Sequence, residues 1–395
     1  MAEGRRSERA IIGLVGAVQF VNIVDFMMVM PLGPDFARSL GVPMNQIGVV
    51  GGAYTLAACL VGLLASPLLD RVDRRLALAV CMAGLAVGTA LGGFATGMVS
   101  LVAARVVAGS FGGPATSVAL AIVSDVVPPE RRGQAMAAVM TSFSVASVAG
   151  VPAGLALAGW ADWRAPFFAV AGAGGVITAL SIALLPPLRG HIAPGRPRPS
   201  LRALLRLPAA WAGLAATALV TMSGFTIIPN LSAYLQFNLG WPRQHLPYLY
   251  MAGGAATLVA MRAFGRFADR RGPVRLNVAG TAGFAVVGVL WFAFSPPPLP
   301  VWILFPSMML AMSARNVAHQ SVLSRVAGPS ERAAFQSLNS AVQHGAASVA
   351  AFAGAAMLST GPVGELVGMP GLALLALALG LGVPSLLRTT LRGSR

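Results

Sequence analysis

The segment Ser66-Pro67-Leu68-Leu69-Asp70-Arg71-Val72-Asp73-Arg74-Arg75 is short and charged, and it separates two long apolar stretches of the chain. A related segment, Gly265-Arg266-Phe267-Ala268-Asp269-Arg270-Arg271-Gly272-Pro273-Val274-Arg275, begins 199 residues later. Each segment combines at least one acidic residue with several arginines and has room only for a tight turn. One basic hairpin of this kind in each half of the chain predicts a membrane protein built by duplication.

The composition of the chain also indicates a membrane protein. Of the 395 residues, 56% are hydrophobic and 10% are charged, whereas a soluble domain carries about 25% charged residues. The formal charge of +16 is compatible with nucleic-acid binding, but the arginines occur in short clusters between apolar stretches rather than on one soluble module. Cys59 and Cys81 lie inside apolar stretches, which favours packing over a disulfide or a metal site.

A spanning helix requires about 20 mostly apolar residues. Twelve stretches meet that requirement, namely residues 10–31, 45–69, 76–96, 98–126, 134–160, 165–187, 209–236, 247–268, 274–295, 299–324, 334–358 and 367–387. The first stretch is not followed by a convincing small-residue cleavage site, so we expect a spanning helix and not a removable signal peptide. The predicted fold class is an all-α membrane protein with twelve transmembrane helices.

The distribution of arginines predicts that both termini are cytoplasmic. With a cytoplasmic N-terminus, 22 of the 28 arginines lie on the cytoplasmic side. Three arginines lie on the outside, namely Arg38, Arg164 and Arg243. The remaining three lie within predicted spans, namely Arg105, Arg262 and Arg315. Basic residues concentrate in cytoplasmic loops, so this asymmetry fixes the predicted orientation.

The two halves of the chain are repeats of each other. Leu40-Gly41-Val42-Pro43 corresponds to Leu239-Gly240-Trp241-Pro242, again 199 residues later. A stretch rich in Pro and Arg divides the halves, and we predict an N-terminal six-helix bundle at 1–188, a cytoplasmic basic linker at 189–208 and a C-terminal bundle at 209–395. Because six is an even number, both copies share one topology, which is the arrangement of a two-bundle transporter with a site between the bundles.

On these features the chain resembles the major facilitator superfamily along its whole length. The hairpins resemble the Gly-x-x-x-Asp-Arg-x-Gly-Arg-Arg pattern that this family has between helices 2 and 3. The first copy matches the pattern at Asp70, Arg71, Arg74 and Arg75, with Ser66 and Asp73 where glycines are usual. The second copy matches it at Gly265, Asp269, Arg270 and Gly272.

The resemblance implies that the hairpins form a cytoplasmic gate. The tight reversal favours Gly or a short polar residue with positive φ. Asp70 is expected to pair with arginines and with the positive N-terminus of a neighbouring helix, which would latch one transport state, and Asp73 would modify this latch. The alternative is that the arginines of the hairpins only set the membrane orientation.

Two further segments resemble motifs of the twelve-helix drug:proton antiporters and sugar-efflux-like proteins. Arg105-Val106-Val107-Ala108-Gly109 resembles the Arg-x-x-Gln-Gly motif of helix 4, with Ala108 in place of Gln. Gly150-Val151-Pro152-Ala153-Gly154 resembles the antiporter motif of helix 5, and Trp163-Arg164-Ala165-Pro166-Phe167 resembles the loop that follows it. Gly150, Pro152 and Gly154 are expected to let helix 5 bend and pack closely; ordinary glycine packing is the alternative.

Asp25 is the only acid well inside a predicted span, and Asn22 lies one turn away on the same face. Ionisable groups inside a membrane are costly and are therefore candidates for function. Asp25 lies about 8 Å, and Arg105 about 10 Å, from the outer ends of their helices, so the two are predicted to meet. The pair is either a proton-coupling site that opens and closes during transport or a permanent structural bond between helices 1 and 4.

Polar stripes in the second half are predicted to line a substrate cavity. The cavity residues predicted from both halves are Asn22, Phe26, Thr226, Asn230, Tyr234, Arg315, His319, Gln343 and His344. For any single histidine or serine of these stripes, a hydrogen bond to a neighbouring helix is an equally good explanation, and for aromatic residues such as Phe26 the alternative is packing in the core or against lipid. Arginines and histidines outnumber the one acid, so we expect a neutral or anionic substrate.

The predicted function is secondary active transport, namely proton-coupled efflux of a small organic compound or drug by alternating access across the cytoplasmic (inner) membrane. The alternatives are a sugar or metabolite uniporter or symporter, and a transporter-like sensor that binds without cycling. The expected partners are the substrate, protons and the lipid bilayer, without nucleic acid, and the expected state is a monomer. The sequence shows no metal triad, Ser/His pair or phosphate-binding loop, so we expect neither an enzyme nor a cofactor.

Overall fold

The computed structural model describes residues 2–69, 71–128, 131–189, 206–294, 296–327, 332–362 and 364–393. The chain forms two compact units, which are Met1–Gly41 with Ala53–Arg198, and Val42–Gly52 with Pro199–Arg395. The predicted linker at 189–208 lies almost wholly outside the described residues.

The described part of the first unit is helical. Its helices are α1 (Ala2–Met28), α2 (Gly33–Leu40), α3 (Ile47–Leu69, whose first turns belong to the second unit), α4 (Arg74–Gly93), α5 (Met98–Val126), α6 (Arg132–Val145), α7 (Val151–Trp160) and α8 (Ala165–Leu184). A one-turn 3₁₀-helix, Met44–Gln46, precedes α3, and a π-helical turn, Ala146–Gly150, joins α6 to α7.

The second unit is also mainly helical. Its helices are α9 (Pro208–Phe225), α10 (Ile228–Ala233), α11 (Leu246–Arg271), α12 (Pro273–Phe292), α13 (Val301–Leu323), α14 (Arg332–Met357), α15 (Met369–Leu381) and α16 (Val383–Gly393). A π-helical turn, Tyr234–Asn238, follows α10, and a 3₁₀-helix, Arg243–His245, precedes α11. Between α14 and α15, the short strands β1 (Ser359–Thr360) and β2 (Leu366–Val367) pair antiparallel.

The structure confirms the all-α membrane fold. In the described part of the chain, ten helical segments are long and apolar enough to cross a membrane. The two other predicted spans correspond to α11 and α14, which have 26 residues each but are more polar. All twelve predicted stretches are therefore mainly helical, and the crossing of the membrane by α11 and α14 remains a prediction.

A π-helical turn interrupts the fifth predicted span at the Gly- and Pro-rich motif. The turn, Ala146–Gly150, ends two residues before Pro152. Proline lacks an N–H group and its ring collides with the carbonyl group four residues earlier, so a wider turn relieves the conflict. Gly150 is needed for close packing against α1, because a Cβ atom there would collide with Val24. Gly154 and Pro152 are buried in the same segment.

The last predicted span is not one uninterrupted helix. The stretch 367–387 is divided into α15 and α16, which meet at Gly382. Pro384 lies in the first turn of α16, where its missing N–H group is tolerated, whereas within a continuous helix it would break a backbone hydrogen bond.

Candidate functional site

A buried ion pair joins α1 to α5 in the first unit. Arg105 donates from Nη1 to Asp25 Oδ1 (3.0 Å) and from Nη2 to Asp25 Oδ2 (2.9 Å). Nη2 also lies 3.3 Å from the backbone oxygen of Asp25. The Asp25 side chain is 0% exposed and that of Arg105 is 1% exposed. The structure thus brings together the two membrane charges that the sequence placed at a similar depth.

Thr89 of α4 gives the Asp25 carboxylate a third donor. Its hydroxyl lies 2.7 Å from Asp25 Oδ1 and 2.8 Å from the backbone oxygen of Leu85. A hydroxyl has one proton, so Thr89 can donate either to the carboxylate or to its own helix. Thr89 therefore links the charge state of Asp25 to a third helix. No pattern in the sequence had identified this residue.

An aromatic and amide network extends the pair towards α3. The Arg105 guanidinium carbon lies 4.5 Å from the ring centroid of Tyr54, which suits a cation–π contact. Tyr54 donates to Asn22 Oδ1 (2.8 Å), and its ring stacks on Phe26 with the centroids 5.3 Å apart. Asn22 in turn donates to the backbone oxygen of Gly112 (2.8 Å) on α5.

Small residues let these helices approach closely enough to place the pair. A Cβ atom at Gly109 would collide with the backbone of Tyr54, so α3 touches α5 one turn from Arg105. Gly88 approaches the backbone of Ala108 in the same way, which brings α4 against α5 beside Thr89. The Ala108 that replaces the usual Gln is fully buried at this contact. Backbones approach this closely only at small residues.

The cavity residues predicted on helix 7 are buried within the second unit. Thr226 donates to the backbone oxygen of Ser223 (3.1 Å), and Asn230 donates to that of Thr226 (3.3 Å). Tyr234 donates to the backbone oxygen of Trp291 on α12 (3.2 Å). Each side chain therefore makes at least one local hydrogen bond, while Asn230 Oδ1 accepts none.

His319 belongs to a polar cluster of three helices. Its Nε2 lies 2.9 Å from Thr217 Oγ1, and Thr217 donates to Asn339 Oδ1 at 2.5 Å. If Thr217 gives its single proton to Asn339, Nε2 of His319 must be the donor to Thr217. Gln343 is exposed and His344 is partly exposed on α14, so these two do not join the cluster.

Arg315 is buried on α13, with a 2% exposed residue surface. Its guanidinium carbon lies 4.9 Å from the ring centroid of Phe284. Its Nε and Nη2 atoms have no hydrogen-bond partner, and no ion pair in the described part of the chain involves it. The two buried membrane arginines therefore differ, since Arg105 is paired and Arg315 is not.

The first hairpin is held by Asp73 in the described residues, while Asp70 lies outside them. Asp73 caps α4 by accepting from the Arg75 backbone N–H (2.9 Å). It also accepts from the backbone N–H of Leu188 (3.0 Å) and from Arg189 Nε (3.1 Å). Among the described residues of the turn, no non-glycine residue has a positive φ, and the Asp73 side chain caps the start of α4.

The hairpin arginines make different contacts. Arg74 Nε lies 3.6 Å from Asp125 Oδ2 on α5, and Arg75 donates to the backbone oxygen of Ile182 on α8. Arg71 is exposed. The first hairpin is thus tied to α5 and α8 of its own unit.

Hydrogen bonding lowers the pKa of Asp73. Burial by itself would raise that pKa, but the Leu188 and Arg75 N–H groups and Arg189 outweigh burial and hold it below the ordinary value of 3.8. A carboxyl whose pKa is lowered on folding stabilises the folded state at a pH above its unfolded pKa. That contribution is lost as the pH falls through the lowered value.

Asp73→Ala is therefore expected to lower the free energy of unfolding by about 1 kcal/mol, the usual effect of removing a helix N-cap. Thermal unfolding in detergent at neutral pH measures the difference from wild type. The difference should shrink as the pH is lowered below 3.8. Asp73→Asn retains an acceptor oxygen, so its stability should lie between those of the wild type and Asp73→Ala. If the stability difference between the wild type and Asp73→Ala does not depend on pH, the role of the charge is contradicted.

The second hairpin turns at one residue. Gly265, Asp269 and Arg270 all lie within α11, and the reversal into α12 occurs at Gly272, which has a φ of 90°. That conformation favours glycine, as the sequence analysis expected. Asp269 and Arg270 are exposed, and no ion pair of the described residues involves Asp269.

In the residues that the structure describes, ten apolar helices and a fully buried ion pair indicate an integral membrane protein. A family model described as Major Facilitator Superfamily matches residues 15–351. The chain belongs to the major facilitator superfamily.

The chain is also similar to individual members of that family. It is 30% identical to a chloramphenicol resistance protein of Streptomyces lividans over 275 residues, which cover 68% of each chain. It is 29% identical to the inner membrane transport protein YdhP of Escherichia coli over 208 residues, about half of each chain (52% and 53%).

A solved structure has the same fold. A bacterial homologue of the human lysosomal transporter Spinster superposes with a TM-score of 0.72 at 16% identity, covering 98% of this chain and 97% of that chain. At this level of identity the similarity concerns the fold alone.

Proposed function

We propose that this protein exports a small organic compound in exchange for protons, with Asp25 as the proton-binding group and Arg105 as its partner. The observation that carries the proposal is the fully buried, bidentate Asp25–Arg105 pair at the contact of α1 and α5. Acids inside a membrane protein commonly mark proton pathways.

The geometry supports a cycle with two states of Asp25. In the ionised state the carboxylate binds Arg105 and accepts from Thr89. Protonation removes its negative charge and weakens the ion pair. Thr89 can then donate to Leu85 instead, and Arg105 keeps its contacts with the Asp25 backbone oxygen and the Tyr54 ring. The contacts of α1 with α4 and α5 thus depend on the proton.

The similarity to a chloramphenicol resistance protein supports efflux and a drug-sized organic compound as the class of substrate. A location in the cytoplasmic membrane with both termini cytoplasmic, and a monomeric state, belong to the same proposal. The energy is sufficient, because one proton charge crossing 100 mV supplies about 2.3 kcal/mol.

Purified protein in proteoliposomes tests the proposal. An acidic lumen drives protons outward, so vesicles should accumulate external labelled chloramphenicol, or another member of a drug panel, above the external concentration. Accumulation should collapse when a protonophore is added. Equilibration without accumulation would instead indicate a uniporter, and binding without any flux would indicate a non-cycling sensor.

A further inference from the structure

The second unit contains a buried arginine whose charge is not neutralised within the described part of the chain. Arg315 is 2% exposed, and its Nε and Nη2 atoms have no partner. No acid among the described residues forms an ion pair with it. Burying an unpaired charge is strongly unfavourable, and the first unit avoids this by pairing Arg105 with Asp25. The burial of Arg315 therefore favours a bound anion as its counter-charge.

The two unused donors are placed to bind one particular shape of anion. Nε–H and one N–H of Nη2 project from the same edge of the planar guanidinium group, and this edge matches the two oxygens of a carboxylate. The Phe284 ring lies 4.9 Å from the guanidinium carbon. The face of this ring attracts the positive charge, but the ring accepts no hydrogen bond from Nε or Nη2 of Arg315.

Glycines on two neighbouring helices leave the guanidinium its space. A Cβ atom at Gly380 on α15 would lie 2.9 Å from Nη2 of Arg315. A Cβ atom at Gly280 on α12 would lie 2.9 Å from Cγ of the same side chain. Any larger residue at 380 would therefore press on one of the two donors that the proposed ligand needs.

Unused polar groups lie on the face of α12 that Arg315 contacts. Asn277 is 0% exposed and Thr281 is 4% exposed. Both amide atoms of Asn277 and the hydroxyl of Thr281 lack partners. By helical spacing these two residues share a face of α12 with Gly280 and Phe284, the residues that Arg315 contacts. Asn277 and Thr281 supply further donors and, at Asn277 Oδ1, one acceptor.

We propose that Arg315 forms a carboxylate-binding site within the second unit, in which Nε and Nη2 bind the two carboxylate oxygens and Thr281 and Asn277 provide further polar contacts. The ligand is a small free carboxylate or the carboxylate group of an organic substrate. The binding of a carboxylate depends on the Arg315 geometry alone, whereas its transport rests on the export function proposed above.

Thermal unfolding of the purified protein tests binding without any gradient. Acetate or benzoate is titrated at constant ionic strength, with chloride as the control anion. Chloride carries the same charge as a carboxylate but lacks the pair of oxygens that matches the guanidinium edge. The carboxylates should raise the melting temperature of the wild type by a few degrees, in the manner of a ligand that binds only the folded state. Equal stabilisation by chloride would overturn the assignment to a carboxylate.

Variants test whether the stabilisation by carboxylates depends on Arg315. Arg315→Met should remove the response to carboxylate, and Gly380→Ala should weaken it while the arginine is retained. Arg388→Gln is the control for loss of an exposed charge in the second unit, and Gly371→Ala is the control for an added methyl group on α15, since nothing lies within 4 Å of that position. The proposal is wrong if Arg315→Met responds to acetate as the wild type does.

A transport measurement separates the two sources of the carboxylate. Saturable counterflow of labelled benzoate that is lost in Arg315→Met identifies a transported organic acid. Carboxylate stabilisation without benzoate counterflow identifies a small carboxylate that stays bound. Because binding is measured with Asp25 intact and no pH gradient, failure of the carboxylate site is distinguishable from failure of proton-coupled export.

Discussion

Asp25→Asn is expected to abolish proton-driven accumulation of substrate while leaving substrate binding and passive exchange measurable. Asparagine has almost the shape of aspartate but neither takes up nor releases a proton in this pH range. The amide can still accept from Thr89, which lies 2.7 Å from Oδ1 of Asp25. Accumulation by proteoliposomes with an acidic lumen, compared with counterflow at equal pH, measures the two activities separately.

Loss of activity in Asp25→Asn alone would not exclude instability, because the variant leaves Arg105 buried and unpaired. Breaking a buried pair by removing one partner costs about 3–5 kcal/mol. The double variant with Asp25→Asn and Arg105→Gln removes both charges and is the appropriate control. It should recover much of the stability and exchange activity without recovering the response to pH. Retained pH-driven accumulation in the double variant would show that the pair is only a structural bond.

Arg105→Gln is expected to be destabilising as well, lowering the free energy of unfolding by about 3–5 kcal/mol. Three contacts depend on this side chain, namely both carboxylate oxygens of Asp25 and its backbone oxygen. The cation–π contact with Tyr54 is lost as well. Thermal unfolding in detergent, followed at neutral pH, measures the effect.

Arg105→Lys and Arg262→Gln complete this comparison. Lysine keeps the charge but cannot reproduce the planar, bidentate pairing, so Arg105→Lys should remain clearly less stable than wild type. Arg262 is exposed on α11, and its replacement by Gln should change stability by no more than about 0.5 kcal/mol. A double-mutant cycle between Asp25 and Arg105 should give a coupling energy of at least about 1 kcal/mol; additive effects would contradict the pairing.

The order of the helices and the duplication of the hairpin could be predicted from the sequence because both depend on local patterns. A spanning helix is an uninterrupted apolar stretch of sufficient length, and the two hairpins keep their spacing in the chain. The approach of Asp25 to Arg105 could also be predicted, since depth along a helix follows from residue counts. The break at Gly382 was missed because the surrounding stretch is apolar on both sides.

The partners of the buried charges could not be predicted in the same way. Thr89 and Tyr54 have no distinguishing pattern in the sequence, and their contacts depend on how α3 and α4 are rotated against α5. Asp73 was expected to modify the hairpin, but its bond to Leu188 joins residues 115 positions apart. Such contacts depend on helix packing, which apolar periodicity alone does not specify.

The sequence by itself determined the membrane fold and predicted the repeated halves and the depth of each intramembrane charge, because hydrophobic length and residue spacing are local properties. Only the tertiary structure decided which charges are neutralised. Arg105 meets an acid, whereas Arg315 meets none among the described residues, although both are arginines within apolar helices. The physical reason is that an ion pair requires two helices to present their charged faces to each other, and this depends on the rotation and close approach of the packed helices.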